Sequence, residues 1–339
     1  MSFTPISDIG RQALIERIKS ICVKESDQTL IGIGDDAALY LTDPGYSSLI
    51  STETLVEGID FDLTFHPLSH LGFKVVTSGV SDILAMGGVP KQLLINLNVT
   101  TKVSVEMVEE FYRGVKEACL FYQCDLVGGD LRSSRGTIVL SVTATGLVKS
   151  GSVSTRRSAK TGDAICVTGS LGEALAGLKI LLRERKFWED NPEASQPELD
   201  VWKEVVSKQL IPRARIDIVH LMNEHQIRPN AMIDLSKGFL NELKELCSQS
   251  HVGAYVYEAA LPISDQTKDV ASEMGELASA YALQGGEDFE LMFTLPEESV
   301  EKAFEILKDI TVVGMIRPAS EGIQIQKFTG EVWEIDSDQ

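Results

Sequence analysis

Strand-like and helix-like segments alternate along most of this chain, and that alternation restricts its fold more than any other feature. Runs rich in branched and aromatic residues, bounded by Gly, Pro or polar residues, predict strands; they are "SLISTETL", "KQLLINLNVT", "GTIVLSVTATGLV", "DAICVTG", "AYVYEAAL", "FELMFTL" and "ITVVGMI". Apolar residues at steps of three and four predict helices, in "SVEMVEEFYRGVKEACLFY", "SLGEALAGLKILLRE" and "SKGFLNELKELCSQ". A chain that interleaves both kinds of element is expected to be a mixed α/β protein.

The length and one polar stretch predict two domains. A chain of 339 residues suffices for two domains of ordinary size. The stretch "LVKSGSVSTRRSAKTGD" is polar and weakly patterned, which is typical of a domain boundary, and we expect domains at 1–150 and 151–339. A second loose stretch, "KFWEDNPEASQPELD", predicts an exposed excursion within the second half.

The charge excludes two classes of partner. The formal net charge is −19, from 50 acidic and 31 basic residues. Such a surface is expected to repel nucleic acid and anionic membranes. If the protein handles phosphates, bound divalent cations are the expected means of overcoming that field.

Cysteine usage and the N-terminus predict a cytoplasmic protein. The five cysteines are scattered, and none forms a C-x-x-C pair, which favours reduced and mostly buried thiols over disulfides or a zinc site. The segment "MSFTPISDIGRQALIERI" has no apolar signal core, and no run approaches eighteen apolar residues, so no membrane span is expected.

Acidic side chains interrupt apolar segments at several places, often just after glycines. Any one of them is typical of a turn or a helix cap, but a gathered set would be strongly repulsive. Two unit charges at about 5 Å cost roughly 3 kcal/mol at an effective dielectric near 20. Cations relieve that cost, and oxygen-only ligands favour magnesium. We expect these carboxylates at strand or helix ends: Asp35, Asp36, Glu53, Asp82, Asp130, Asp234, Glu287 and Asp288.

Several better-known nucleotide and metal motifs are excluded. Gly32, Gly34 and Ala37 fit G-x-G-x-x-A, with Glu53 downstream, but "ALYLTDPG" predicts a strand and turn where that fingerprint needs a helix. The chain has no G-x-x-x-x-G-K-[ST] loop, no H-R-D or D-F-G motif of protein kinases, and no H-E-x-x-H zinc motif.

Six motifs occur in an order that resembles the thiamine-monophosphate kinase family, within the aminoimidazole ribonucleotide synthetase superfamily. They are "GIGDDAA", "STETLVEGIDF", "SDILAMGGVPKQ", "LVGGD", "MIDLSKG" and "GGEDFEL", and the resemblance runs from about residue 30 to about residue 295. It implies a two-domain α/β (α+β) fold with mixed sheets flanked by helices, and an N-terminal domain that binds ATP and metal and forms a homodimer. It also implies a kinase that converts thiamine monophosphate to thiamine diphosphate, using ATP and several Mg²⁺ ions.

The resemblance also implies roles for individual residues. ATP contacts carry over to Gly129, Asp130, Arg156 and Ser236, and substrate contacts to Asp60 and Glu287. The implied magnesium ligands are carboxylate or hydroxyl side chains: Asp36, Ser51, Thr52, Glu53, Asp82, Asp130 and Asp234. The substrate phosphate is itself an ionised nucleophile, so this reaction needs positioning and charge neutralisation rather than a strong general base.

Three positions depart from the family pattern and leave alternatives open. Glu53 stands where the family usually has Asp, Asp60 where it usually has His, and Lys237 where it usually has a metal-binding Asp. "GGDLRSS" also lacks the usual Thr. One alternative is an ATP-using paralogue that acts on another small anionic phosphate substrate. The other is a catalytically weak, nucleotide-binding paralogue.

Overall fold

The computed structural model describes residues 4–22, 27, 29–31, 39–40, 44–191, 193 and 199–335. The chain forms two compact units, Met1–Ile83 with Gly88–Gly151, and Leu84–Gly87 with Ser152–Gln339. Both contain helices and sheets, and the two larger sheets are mixed, which confirms the predicted fold class. Among the described residues, no helix combines the length and the apolar character needed to cross a membrane.

The first unit is built on a four-stranded sheet of order β3-β6-β4-β5, in which β4 and β5 are parallel and the other neighbours antiparallel. β1 and β2 form a separate antiparallel pair. The elements are α1 (Ile6–Ile21), β1 (Thr29–Ile31), β2 (Leu39–Tyr40), β3 (Tyr46–Val56), α2 (Leu68–Ala85), β4 (Val89–Val99), α3 (Val105–Tyr122), β5 (Asp125–Ser133) and β6 (Val139–Lys149).

Two long helices cover one side of this sheet. Close approach between α2 and α3 requires glycine, because a Cβ at Gly114 would lie 1.7 Å from the Ser69 carbonyl oxygen. In α2, a Cβ at Gly79 would lie 2.8 Å from the Val142 side chain of β6. The opposite side of the sheet is open, since alternate residues of β3 are exposed along its length.

The second unit is built on a seven-stranded sheet of order β13-β12-β9-β11-β7-β10-β8, antiparallel except for β12 and β9. Its elements are β7 (Ala164–Thr168), α4 (Glu173–Asp190), α5 (Lys203–Leu210), α6 (Ile216–Glu224), β8 (Ala231–Leu235), α7 (Phe239–Ser250), β9 (Val252–Tyr257), α8 (Asp265–Met274), α9 (Ala278–Gln284), β10 (Glu290–Leu295), α10 (Glu297–Leu307), β11 (Ile310–Pro318), β12 (Ile323–Gln326) and β13 (Val332–Ile335). Short 3₁₀ turns occupy Leu199–Trp202, Glu258–Ala260 and Ala319–Glu321.

Two strands of the second unit, β8 and β10, are buried along their whole length. These strands therefore pack on both sides and show no alternation of apolar and polar residues.

All five cysteines of the chain are buried and free of disulfides, as predicted.

Candidate active site

Three of the implied metal ligands follow one another along β3 in the first unit. Ser51, Thr52 and Glu53 lie inside this strand, which continues to Val56, so the expectation that Glu53 ends its strand is wrong. Strand side chains alternate between the two faces, so Ser51 and Glu53 face one side and Thr52 the other. Ser51 Oγ donates to the Gly79 carbonyl oxygen of α2 at 3.0 Å. The helix-covered side of β3 therefore holds Ser51 and Glu53, while Thr52 is on the exposed side.

Asp82 lies on the same helix that the Ser51 hydroxyl contacts. It follows Gly79 by about one turn, and it is half-buried. Ser78 and Ala85 of the same helix are buried. Ser51 and Asp82 thus belong to two elements of the first unit, β3 and α2, that a hydrogen bond joins.

Asp130 lies within β5, which continues to Ser133, so the expectation that this carboxylate ends its strand is wrong. Its Oδ1 accepts from the Leu131 backbone N–H at 2.9 Å, and its Oδ2 accepts from Arg132 Nε at 2.6 Å. Arg132, which the sequence did not single out, places a guanidinium beside an implied ATP and metal ligand. A metal ion at Asp130 must therefore share this carboxylate with Arg132 or displace it.

The glycine at 129 has a packing role of its own. Its φ is 153°, and a Cβ there would lie 1.8 Å from the Ile95 carbonyl oxygen of β4. Only glycine allows β5 to approach β4 this closely. The packing of β5 against β4 thus requires glycine at position 129.

Asp60 belongs to a tight turn at the end of β3. Its Oδ2 accepts from the Val56 backbone N–H at 2.7 Å, which fixes the side chain across the turn. Lys74, a buried residue of α2, donates through Nζ to the Asp60 carbonyl oxygen at 3.1 Å. Asp60 Oδ1 has no partner among the described residues, so one oxygen of this carboxylate is available to a ligand.

In the second unit, implied ATP and metal residues surround a buried acid that the sequence did not predict. Asp234 is the penultimate residue of β8, as expected, and Glu242 lies in the first turn of α7. Glu242 Oε1 accepts from the Lys237 backbone N–H at 3.2 Å and from Ser236 Oγ at 3.5 Å. Glu242 therefore stabilises the Ser236–Lys237 turn through two hydrogen bonds.

The charges around Glu242 show which residues this segment brings together. Burial and the nearby negative charge of Asp234 raise the pKa of Glu242 to about 7, while Lys237 and Arg156 act to lower it. Asp234, Arg156 and Lys237 are therefore electrostatic neighbours of one carboxyl group. Lys237 is exposed and lies just before Gly238, the N-cap of α7.

The segment "GGEDFEL" carries three acidic residues with different partners. Asp288 is buried and accepts from the Gly172 N–H at 2.7 Å and the Ala174 N–H at 3.1 Å, which caps the start of α4. Burial raises the pKa of Asp288 to about 7, against the opposing effects of Lys208 and those two N–H groups. The Asp288 carboxyl group thus has a structural role at the start of α4.

Glu290 also has a structural role. It is buried, and its oxygens accept from Lys208 Nζ at 2.5 Å, Arg215 Nη1 at 2.9 Å and Thr168 Oγ1 at 2.6 Å. Burial acts to raise its pKa, but Lys208 and Arg215 outweigh that effect and hold the pKa below its ordinary value. Glu290 therefore stays ionised inside a buried ion-pair network.

Glu287 is the remaining acid of this segment and the implied substrate contact. It has a φ of 66°, unusual for a residue with a side chain. Its N–H donates to the Ser236 carbonyl oxygen at 2.8 Å, and its Oε2 accepts from Gln209 Nε2 at 3.1 Å. The structure thus connects the Glu287 loop directly to the Ser236–Lys237 turn.

The implied magnesium ligands supply only carboxylate and hydroxyl oxygens, which is the ligand type that Mg²⁺ prefers. Within the described ranges, no group of three or more His, Cys, Asp and Glu side chains lies together as a metal site. Asp35 and Asp36 lie outside the described residues. The donor chemistry fits magnesium, and the assignment of individual ligands stays a prediction.

Comparison with known proteins identifies the family. Residues 34–148 match the model of the AIR synthase related protein, N-terminal domain, and residues 160–324 that of the AIR synthase related protein, C-terminal domain. The thiamine-monophosphate kinase of Bacillus subtilis (strain 168) is 33% identical over 305 residues, which are 88% of this chain and 88% of that protein. The thiamine-monophosphate kinase of Aquifex aeolicus (strain VF5) is 33% identical over 321 residues, or 94% of each chain.

A solved structure agrees over nearly the whole length. The complex of AaThiL with AMPPCP and TMP has a TM-score of 0.75 and 31% identity, and covers 99% of this chain and 98% of that chain. The ordered motifs, the matches to both AIR synthase related domains and the similarity over the full length all agree. The chain therefore belongs to the thiamine-monophosphate kinase family.

Proposed function

We propose that this protein transfers the γ-phosphoryl group of ATP to the phosphate of thiamine monophosphate, yielding thiamine diphosphate and ADP. The observation that carries this proposal is the full-length similarity to thiamine-monophosphate kinases, including a structure that contains AMPPCP and TMP. The absence of a P-loop and of protein-kinase motifs agrees with a kinase of this separate fold.

The chain's own residues divide the work between positioning and charge neutralisation. In the proposed arrangement, Gly129, Asp130, Arg156 and Ser236 contact ATP, and Asp60 and Glu287 contact the substrate. When bound, Mg²⁺ would neutralise phosphate charge and hold the two phosphates in line. Its proposed ligands are Asp36, Ser51, Thr52, Glu53, Asp82, Asp130 and Asp234.

Cationic side chains support the same transfer. Arg156 and Lys237 lie in the electrostatic neighbourhood of Asp234 and Glu242, and Arg132 pairs with Asp130. Positive charge placed near a transferring phosphoryl group stabilises its transition state. Lys237 in particular puts an ammonium where the family usually has a metal-binding carboxylate, and we propose that it contacts a phosphate directly.

Assembly and location complete the proposal. We propose residues 1–150 as the ATP-binding, metal-binding and dimerisation domain and residues 151–339 as the second domain. The open side of the four-stranded sheet carries exposed Tyr46, Ile50 and Leu94, which supports a homodimer formed through this surface. Free thiols suit the cytoplasm, where cysteines stay reduced.

The test is incubation of the purified protein with ATP, Mg²⁺ and thiamine monophosphate, followed by chromatographic detection of thiamine diphosphate. Formation of thiamine diphosphate supports the proposal. Turnover of a different phosphate ester alone would favour the paralogue that acts on another substrate. This alternative is worth testing because Asp60 Oδ2 already accepts a hydrogen bond within its own turn. Binding of ATP without turnover of any substrate would indicate the catalytically weak paralogue.

A further inference from the structure

Helix α5 holds the "GGEDFEL" segment at two successive residues. Lys208 donates to Glu290, and Gln209 donates to Glu287. The helix is itself fixed against α4, because a Cβ at Gly177 would lie 2.1 Å from the Val205 carbonyl oxygen and 3.0 Å from Gln209 Cβ. Gln209 thus donates from a backbone that has little freedom to move.

Gln209 is 3% exposed, although it carries a polar amide. A buried amide is unfavourable unless it is hydrogen-bonded, and here Nε2 donates to Glu287 Oε2 at 3.1 Å. The bond fixes the direction of the Glu287 carboxylate without adding a positive charge. Glu290, in the same segment, pairs with Lys208 and Arg215.

The backbone of Glu287 is held as well as its side chain. Its φ of 66° lies in the left-handed region, where residues with side chains are uncommon. Its N–H donates to the Ser236 carbonyl oxygen at 2.8 Å, which keeps the loop in this conformation. Strain of this kind persists only where the surroundings impose it, and it clusters at ligand-binding sites.

We infer that Gln209 is a positioning residue that holds the Glu287 carboxylate as an anionic acceptor for the cationic part of the substrate. Resting on the proposed function, that part is the thiazolium ring or the aminopyrimidine amine of thiamine monophosphate. A neutral amide suits this task, because an ammonium at the same place would cancel the charge that the substrate requires. Gln209 therefore contributes to the choice of substrate through Glu287, without contacting ATP.

The test compares Gln209→Met, which removes the donor at similar size, with the matched control Gln249→Met. Gln249 Nε2 makes the same kind of bond to Glu245 Oε1, at 3.0 Å, but on the exposed side of α7. Gln209→Met is expected to raise the KM for thiamine monophosphate by roughly tenfold, as loss of a hydrogen bond to a charged group does. The KM for ATP should stay within about twofold, and Gln249→Met should change neither constant.

Binding measurements without ATP separate recognition of the ring from recognition of the phosphate. Thiamine retains both rings but lacks the phosphate, so Gln209→Met should weaken its calorimetric binding and leave that of inorganic phosphate unchanged. Gln209→Lys should weaken thiamine binding at least as much, because the ammonium neutralises Glu287. If Gln209→Met proves unfolded, Glu287→Gln provides the second variant, with the same expected rise in the KM for thiamine monophosphate and none for ATP.

Two outcomes overturn the inference, and they differ from failure of the proposed function. Unchanged constants in both Gln209→Met and Glu287→Gln would show that the pair has no part in recognition. Equal changes for ATP and thiamine monophosphate would show a structural role only. If the wild-type protein neither binds nor phosphorylates thiamine monophosphate, the proposed function fails first and the inference with it.

Discussion

Three acidic residues of one short segment have different roles, although they are chemically similar. Asp288 caps α4 and Glu290 sits in a buried ion-pair network, while Glu287 is held by an amide and a strained backbone. All three look alike in the sequence "GGEDFEL", since each follows glycine or precedes an apolar run. Only their partners, which come from α4, α5 and β7, distinguish them.

Glu290 gives a prediction about stability. Glu290→Gln leaves Lys208 and Arg215 without their shared carboxylate, and breaking a buried pair of this kind costs about 3–5 kcal/mol. The control Glu273→Gln removes an exposed pair with Arg183 and should cost less than about 1 kcal/mol. Urea unfolding measures both, and equal midpoints for the two variants would contradict the prediction.

The same variant gives a pH dependence with a definite sign. Glu290 has a folded pKa below its unfolded value, so its contribution to the free energy of unfolding is complete above the unfolded pKa. That contribution is lost as the pH falls through the folded pKa. The stability difference between wild type and Glu290→Gln should therefore shrink as the pH falls below about 4.

Asp82 tests the proposed metal ligands. Asp82→Asn should nearly abolish phosphoryl transfer, because an amide is a poor substitute for a carboxylate at a magnesium site. It should leave the melting temperature without magnesium unchanged or higher, since it removes one negative charge from the proposed metal site. Asp269→Asn, an exposed aspartate of α8, is the matched control. Wild-type turnover by Asp82→Asn at saturating magnesium would exclude a role for Asp82 as a ligand.

At the scale of elements, the close approach of β4 and β5 depends on one glycine. Gly129→Ala places a Cβ 1.8 Å from the Ile95 carbonyl oxygen at a φ of 153°, and overpacking of this kind costs about 1–3 kcal/mol or more. Gly136→Ala is the control, since nothing lies within 4 Å of its added Cβ. Thermal unfolding of the two variants measures the difference. Equal melting temperatures would show that β5 can move away without loss.

The predicted elements show either a clear period or a run rich in branched and aromatic residues, as β10 does although it is buried throughout. β3, β6 and the helices α3 and α7 alternate or repeat clearly, because one side of each is buried and the other is open. β8 is missing from the predicted strands, because "AMIDL" is short and Ile233 is its one β-branched residue. β5 was not predicted either, because Gly128 and Gly129 are ordinarily signals of a turn.

The candidate site shows a similar division. The resemblance of ordered motifs supplied Asp234, Ser236 and Glu287, which the structure places in connected segments. Glu242 contacts Ser236 and Lys237, which lie six and five residues before it, so its role is local to the start of α7. Gln209 could not be found in this way, because its partner Glu287 lies 78 residues further along the chain. No spacing along the chain relates Gln209 to Glu287, since the packing of α5 against α4 brings the two residues together.

For the whole molecule, the open side of the four-stranded sheet predicts how two copies meet. Ile50 is 75% exposed on β3, and Ile50→Lys should convert the proposed homodimer to a monomer, because it places a charge in an apolar interface. Ile59→Lys is the control, as Ile59 is 80% exposed but lies in the turn after β3. Analytical ultracentrifugation measures both masses, and a dimeric Ile50→Lys variant would assign the interface to another surface.

The proposed reaction is the direct transfer of a phosphoryl group from ATP to the phosphate of thiamine monophosphate. Phosphorus NMR of the wild-type protein with ATP, Mg²⁺ and thiamine monophosphate follows every phosphate at once. We predict that the β-phosphate signal of thiamine diphosphate grows in step with ADP, at equal amounts, and that chelation of the metal stops both. Growth of inorganic phosphate with ADP, while the thiamine monophosphate signal stays constant, would contradict the account.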